Sequence, residues 1–386
     1  MSRFFASIKG DKIIWIVVVL LSVFSLLAVY SSTGTLAYKY KSGNTEFYLI
    51  KHFMILVFGF VLMYLAHLVR YTLFSRISQI ALIIAIPLLF ITLVSGTSVN
   101  EASRWLTLPV INITFQTSDL AKLALIMYVA RLLSKKQNQI KDLKSAFVPI
   151  MIPILITCGL ILPANFSTAA VLFATTIVLM FIGRISLKYI AYLIVIGTAC
   201  LLLLVLIAKY YPKLLPRLET WVTRVESFSE ADSESNYQVE QAKIAIASGG
   251  TIGKMPGNST QRNFLPSPFS DFIYAIIIEE YGLIGGVFIL LLYLILLFRG
   301  LKIVSKSPGT FGAFLAIGLS FSLVFQAMIN MAVAVNLFPV TGQPLPLVSM
   351  GGTSIWFTSL AIGIILSVSK ETEPENEVVE ENVDRV

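Results

Sequence analysis

QAKIAIASGGTIGKMPGNSTQRNFLPSPFSDFIYAIIIEEYGLIGG, residues 241–286, decides how the chain folds. It starts in a polar connection and passes Gly249, Gly250, Gly253 and Gly257. It then enters an apolar helix directly after one carboxylate, Asp271. Between Glu240 and Asp271 there is no acid, while Lys243, Lys254 and Arg262 are basic. A basic, glycine-rich loop that ends in one acid at a membrane surface suits an anionic lipid-linked substrate and a single proton-transfer group. The same residues also read as an ordinary re-entrant loop whose last acid caps the helix that follows.

Outward from this stretch the chain is apolar. Of its 386 residues 56% are hydrophobic and 13% charged, against about 25% charged in an average soluble protein. The apolar runs reach the roughly 20 residues that cross a bilayer as a helix. The expected fold is an all-α polytopic integral membrane protein. Ten spans are expected, near 13–31, 49–69, 77–95, 119–133, 146–163, 167–183, 187–209, 272–298, 309–336 and 348–369. The first is too long, and lacks a small-residue cleavage site, for a removable signal peptide.

Lysine and arginine set the orientation. Arg70 and Arg76 follow span two, Arg131, Lys135, Lys136, Lys141 and Lys144 lie at or after the end of span four, Arg184 and Lys188 follow span six, and Arg299, Lys302 and Lys306 follow span eight. Lys39, Lys41 and Lys51 run weakly against this pattern. The pattern puts both termini in the cytoplasm and the long connection, residues 210–270, outside. Within that connection YQVEQAKIAIAS (237–248) reads as a short helix closed by Gly249–Gly250. Residues 1–370 form one membrane domain. The tail 371–386 holds seven acids and one arginine, net −6, which leaves +14 on the rest against a total of +8. That tail reads as disordered and solvated, and the basic excess as a topology signal rather than a nucleic-acid surface. Cys158 and Cys200 lie in apolar runs as unpaired thiols, and with two histidines besides a transition-metal site is not expected.

Ionisable groups at membrane depth mark functional candidates. On an unbroken helix Glu279 falls about 80° from Asp271, about 12 Å further in, and Glu280 about 180° from it. Glu279 is therefore placed to share a cavity with Asp271, and Glu280 to pair with another helix; both also read as structural hydrogen-bonding groups. Lys122, three residues after Asp119, reads as an i,i+3 pair or as a cation for a diphosphate. Arg104–Trp105 reads as an interfacial belt or a phosphate grip. His52 and His67, at the ends of span two, read as interfacial. Gln326 and Asn330, four apart, share a helix face and suit hydrogen bonds across helices.

Four stretches carry a family resemblance: NEASRWLTLP (100–109), FQTSDLAKLALIMYVA (115–130), ASGGTIGKMPGNSTQRNFLPSPFSDFIYAIIIEEYGLIGG (247–286) and QAMINMAVAVNLFPVTGQPLPLVSMGGTS (326–354). In this order and spacing they resemble the SEDS family (shape, elongation, division and sporulation), which includes FtsW and RodA. There are departures. QTSD (116–119) stands where the family usually has QPSE, Asn165 stands where an acid is usual, and Phe269–Ser270–Asp271 stands where H-T-D is usual.

The resemblance implies a peptidoglycan glycosyltransferase of the bacterial cytoplasmic membrane that polymerises lipid II at its outer face. It implies Asp271 as general base. Arg104, Trp105, Lys122, Lys254, Ser259, Gln261, Arg262 and Glu279 become candidates for substrate contact, and Glu280, Gln343, Pro344, Pro346 and Ser349 for structure or coupling. The leaving diphosphate needs no proton, so one base suffices, unlike the carboxylate pair of glycoside hydrolysis. No cofactor is called for; a divalent cation (Mg or Mn) bridging the diphosphate is compatible with this chemistry. The expected partners are a single-pass class B penicillin-binding protein and other membrane proteins of the division or elongation complexes. The helix of the penicillin-binding protein is expected to dock on small residues of spans eight and nine (Gly282, Gly285, Gly286, Gly312, Ala313, Ala316, Gly318 and Ser320). The chain ends resemble the division type. An elongation-type polymerase, a lipid II flippase and a membrane scaffold are the alternatives.

Overall fold

The computed structural model describes residues 9–41, 43–95, 97–99, 102–107, 114–210 and 234–372. In chain order its helices are α1 (Lys12–Ser32), α2 (Gly34–Lys41), α3 (Thr45–Leu68), α4 (Tyr71–Ser95), α5 (Thr117–Lys135), α6 (Val148–Ile161), α7 (Phe166–Ile182), α8 (Leu187–Tyr210), α9 (Glu234–Gly249), α10 (Ile273–Lys306), α11 (Thr310–Ala334) and α12 (Thr353–Lys370). Between α4 and α5 lies a small antiparallel sheet of β1 (Thr97–Val99), β2 (Ala102–Thr107) and β3 (Thr114–Gln116), in that order. The sheet is an addition to the all-α expectation. Each of the ten expected spans coincides with a helix. Among the described residues seven helices are long and apolar enough to cross a membrane, α7 and the stretch Leu187–Cys200 of α8 are shorter apolar helices, and α5 carries Asp119, Lys122, Arg131 and Lys135.

Contacts between helix ends define two ends of the molecule. At the basic end Asp11 caps α1 by accepting from the Ile13 and Ile14 N–H groups, and it pairs with Arg299 at 2.5 Å. Arg131 donates to the Ser75 carbonyl there, and Ser134 meets Thr310. The opposite end carries the sheet, α9 and the segments 250–272 and 336–352, and is called the loop end below. The acidic tail from 373 onward and residues 211–233 lie outside the described residues.

Helix α10 decides the geometry of the loop end. Its 34 residues rise about 51 Å at 1.5 Å per residue, more than the roughly 30 Å of a bilayer core. It is not continuous: Gly282 has φ 69 and ψ −174 and divides it into 273–281 and 283–306. That backbone geometry is essentially restricted to glycine. The freed polar groups are met by the segment after α9. The carbonyls of Gly250 and Thr251 accept from the Leu283 and Ile284 N–H groups at 2.9 and 3.3 Å, and the Lys254 N–H donates to the Glu279 carbonyl at 2.9 Å. Backbone lies on backbone here. A Cβ on Gly249 would fall 2.1 Å from the Ile278 oxygen, and one on Gly253 2.3 Å from the Glu280 oxygen. The expected helix 237–248 is α9, closed by a turn in which Gly250 has φ +57. It packs Ala242 and Ala245 on Phe272, Ala275, Ile276 and Val333 in a small second core.

From Arg299 the rise back to Leu283 is about 24 Å, so Glu279 and Glu280 lie near the far edge of the apolar layer. Their expected depth of about 12 Å counted an unbroken helix down from Asp271, and the break moves the origin of that count. The small residues of spans eight and nine are also largely consumed within the fold. Gly286 packs on Ile278, Gly300 on Ser320, Gly312 on Tyr71, and Gly318 on Ile126 and Leu179, while Ala316 and Ser320 are fully buried. A docking groove built from these residues is therefore not what the structure offers.

Candidate active site

The segment GQPLPLVSMGG (342–352) enters the protein without forming a helix, and Gln343, Leu345, Leu347, Val348 and Ser349 are all buried. A buried loop must have its carbonyls satisfied, and side chains from three helices do so. Asn330 on α11 donates to the Gln343 carbonyl at 2.7 Å, and Gln326, one turn earlier, donates to Pro344 at 2.9 Å. Tyr293 on α10 donates to Pro346 at 2.5 Å, and Ser25 on α1 donates to Val348 at 2.8 Å. The Gln343 amide in turn reaches Thr168 on α7 at 2.7 Å. The face shared by Gln326 and Asn330 thus serves this loop.

The loop holds the turn that carries Asp271. Ser349 Oγ donates to the Ser270 carbonyl at 2.6 Å, and the Met350 N–H donates to the Phe269 carbonyl at 2.9 Å. Asn330 Nδ2 also donates to the main-chain oxygen of Asp271 at 2.9 Å. The Asp271 side chain is half-buried. Its Oδ1 accepts from Ser270 Oγ at 2.9 Å, and its Oδ2 faces Gly342, where a Cβ would stand 3.7 Å away. Helix α10 begins only at Ile273, with Phe272 as N-cap and no side-chain cap. The main chain of the turn that carries Asp271 is thus pinned by Ser349, Met350 and Asn330.

Lys122 is linked to the same assembly. Its Nζ lies 2.8 Å from Asp119 Oδ1 and 3.2 Å from Gln326 Oε1, with 16% of the side chain exposed. Lys122, Gln326 and Pro344 thus form a hydrogen-bonded chain leading to the Asp271 loop. Arg104 and Trp105 lie in β2, where Trp105 pairs with Thr97 on one side and Gln116 on the other. Gln116 immediately precedes α5, so the sheet is anchored to the helix that carries Asp119 and Lys122. At the departures, Asn165 caps α7 by accepting from the Thr168 N–H at 3.3 Å. With Thr117 and Ser118 it lines a cavity of about 10 Å³, room for about one water.

The remaining candidates form a second cluster. Buried Glu279 accepts from Lys254 at 2.8 Å, Ser259 at 2.5 Å, the Thr260 hydroxyl at 2.9 Å, and the Thr260 and Gln261 N–H groups at 3.0 and 3.3 Å. Glu280 accepts from Ser31 on α1, and Arg262 donates to the hydroxyl and carbonyl of that serine at 3.1 and 3.0 Å. So Glu280 does reach another helix. Glu279 does not turn its carboxylate to Asp271, because the loop 254–261 takes up its hydrogen bonds. Lys254 is paired with that carboxylate and keeps 30% of its side chain exposed. His52 and His67 are buried, at 0% and 3% exposure. Among the described residues no group of three or more His, Cys, Asp or Glu comes together to hold a metal.

Comparison with known proteins agrees with this architecture. The family model described as "Cell cycle protein" (FtsW/RodA/SpoVE) matches residues 11–374. The chain belongs to the FtsW/RodA/SpoVE family. It is 33% identical to the stage V sporulation protein E of Bacillus subtilis over 366 residues, covering 93% of this chain and 97% of that one. It is 32% identical to a probable peptidoglycan glycosyltransferase FtsW of Trichlorobacter lovleyi, covering 93% of each. Its fold is similar to that of a solved peptidoglycan synthase complex that coordinates polymerization and crosslinking. The TM-score is 0.74 at 22% identity over 95% of this chain and 99% of that chain. For the rod shape determining protein RodA of Thermus thermophilus the TM-score is 0.68 at 22% identity, over 96% of this chain and 100% of that one.

Several residues of the site carry no motif signal. Asn330 and Gln326 are visible as a polar pair in an apolar helix, but their target, a loop some 15 residues further on, is not. Ser25, His52 and Tyr293 have no sequence signature at all. Gly282 stood out as a small residue, and only the structure shows it as a break.

Proposed function

We propose that this protein is a peptidoglycan glycosyltransferase that polymerises lipid II into glycan strands at the outer face of the bacterial cytoplasmic membrane, in the division branch of its family. The observation that carries the reading is the pinned turn 269–271. It presents one half-buried carboxylate beside the backbone of Gly342, while its main chain is fixed by Asn330, Ser349 and Met350. A rigid base next to open backbone suits an acceptor sugar.

In the reaction Asp271 takes the proton of the acceptor hydroxyl as that oxygen attacks the anomeric carbon of the donor. The bond from that carbon to the lipid diphosphate breaks, and the diphosphate departs with the electron pair. Lys122 and, on the adjoining strand β2, Arg104 are the candidates to meet that developing charge, with Trp105 beside them as a candidate substrate contact. The Lys254–Glu279 and Glu280–Ser31–Arg262 groups act indirectly, by holding the loop over the break in α10. Both termini lie in the cytoplasm, since the lysines and arginines concentrate at the end of the bundle opposite Asp271. The partner is a class B penicillin-binding protein, whose membrane helix meets the exposed apolar face of 283–298 rather than a glycine groove. That face includes Leu283, Ile284, Phe288, Leu291 and Phe298.

The test is incubation of purified full-length protein with purified lipid II, with and without the transpeptidase. Glycan polymer that depends on this protein supports the reading. Lipid II carried across a vesicle bilayer with no polymer formed would instead make the protein a flippase.

A further inference from the structure

Helix α3 shows its neighbours a narrow stripe, Tyr48, His52, Leu56, Gly59, Met63, Ala66 and His67, and leaves Phe53, Met54, Val57 and Phe58 exposed. His52, two turns into the helix, is a polar member of that stripe and fully buried. Its Nε2 lies 2.7 Å from Ser25 Oγ, which is 2.8 Å from the Val348 carbonyl. A serine hydroxyl has one proton. It goes to the carbonyl, so the Ser25–His52 bond requires His52 to donate from Nε2, and a neutral ring then carries no proton on Nδ1. Buried Nδ1 has no hydrogen-bond partner in the described structure, so the imidazole serves a single bond, the one to Ser25.

That bond decides where Ser25 points. A serine inside a helix otherwise turns its hydroxyl back to the carbonyl three or four residues earlier. By occupying the oxygen from the α3 side, His52 keeps the proton directed across to Val348. Val348 adjoins Ser349 and Met350, the two residues bonded to the Ser270 and Phe269 carbonyls. Four links therefore join His52 to the residue before Asp271: His52 to Ser25, Ser25 to Val348, the peptide to Ser349, and Ser349 to Ser270.

We infer that His52 is a positioning residue for the transferase reaction, acting through Ser25 and the loop 345–350 to hold the Asp271 turn in its reactive place. This rests on the reading of Asp271 as the base. The substrate never meets His52, so its loss alters kcat and leaves KM alone. Misplacement of a reacting group by about 1 Å costs up to about a hundredfold; partial slackening of one of several tethers is expected to cost roughly tenfold.

The experiment compares full-length wild type, His52→Leu, His52→Gln, Ser25→Ala and the double variant His52→Leu/Ser25→Ala, using lipid II polymerisation and amide hydrogen exchange. Glutamine places an N–H close to where Nε2 stood. The expected result is a kcat about tenfold lower in H52L and S25A with KM within about twofold, recovery in H52Q, and a double variant no worse than the worse single one. Faster exchange at 265–272 and 345–350 should accompany the losses and be absent from H52Q. Wild-type kcat in H52L or S25A, a lowered kcat in H52Q that matches H52L, or unchanged exchange in H52L would overturn the inference. Because exchange reads the tether without any chemistry, it still decides whether His52 holds the Asp271 turn if wild type makes no polymer. That last outcome counts against the proposed function alone.

Discussion

Replacing Lys254 by methionine should loosen the loop over the broken helix, by an amount the structure lets one estimate. Glu279 is fully buried, whereas the Lys254 side chain keeps 30% of its surface exposed. Removing one partner of a fully buried ion pair costs about 3–5 kcal/mol. Here the carboxylate keeps the Ser259, Thr260 and Gln261 donors, so the loss is nearer that of one charge-assisted hydrogen bond, about 2 kcal/mol. Glu279→Gln removes the charge on the other side and leaves a lysine that can reach water, for about 1–2 kcal/mol. The double variant leaves neither an unpaired charge nor a starved carboxylate, so its cost should fall at least about 1 kcal/mol short of the sum. The assay is amide hydrogen exchange at Thr260 and Gln261, whose N–H groups both bond Glu279, in full-length protein. A 2 kcal/mol loss in local stability corresponds to roughly 30-fold faster exchange. Exchange at those amides unchanged in K254M, or strictly additive losses in the double variant, would refute the assignment of this pair as the loop's anchor.

Lys122→Met should weaken polymerisation by about 10- to 100-fold, the worth of a charge-assisted contact of roughly 1.5–3 kcal/mol, measured as kcat/KM on lipid II. Gly282→Ala should lower the thermal stability of the purified protein sharply. Its Cβ would stand 2.3 Å from the Thr251 oxygen, and the backbone alone costs about 1–3 kcal/mol. Gly159→Ala, with nothing within 4 Å, should be neutral or slightly stabilising in the same melt. A chain ending at Lys370 should polymerise like the full chain in vitro, since the tail lies across the membrane from Asp271 on the proposed orientation.

Ten of the helices and α9 are legible in the sequence because they rest on local signals: among the described residues seven have an apolar run long enough to cross a bilayer, and α9 is a periodic stretch closed by Gly249–Gly250. The polar pair Gln326 and Asn330 is legible for the same reason, since unpaired amides in an apolar helix demand partners. The break at Gly282 is not, because GLIGG also suits close helix packing. What selects the break is the approach of Gly250 and Thr251 from a loop some 30 residues earlier. The roles of Glu279 and Lys254 follow from that approach, so an angular count from Asp271 along an ideal helix could not find them. His52 was unreadable for a related reason. Beside Lys51 at the start of a span it resembles an interfacial residue, and only the packing of α1 and α12 around it reveals a buried one.

The central claim is that Asp271 is the base, and Asp271→Asn tests it most directly. The change keeps shape and leaves the main-chain bond from Asn330 in place. Polymerisation of lipid II by purified D271N should fall by about 10²–10⁴-fold, the usual contribution of a general base, while lipid II binding and thermal stability stay at the wild-type level. Glycan strands formed by D271N at the wild-type rate would contradict it.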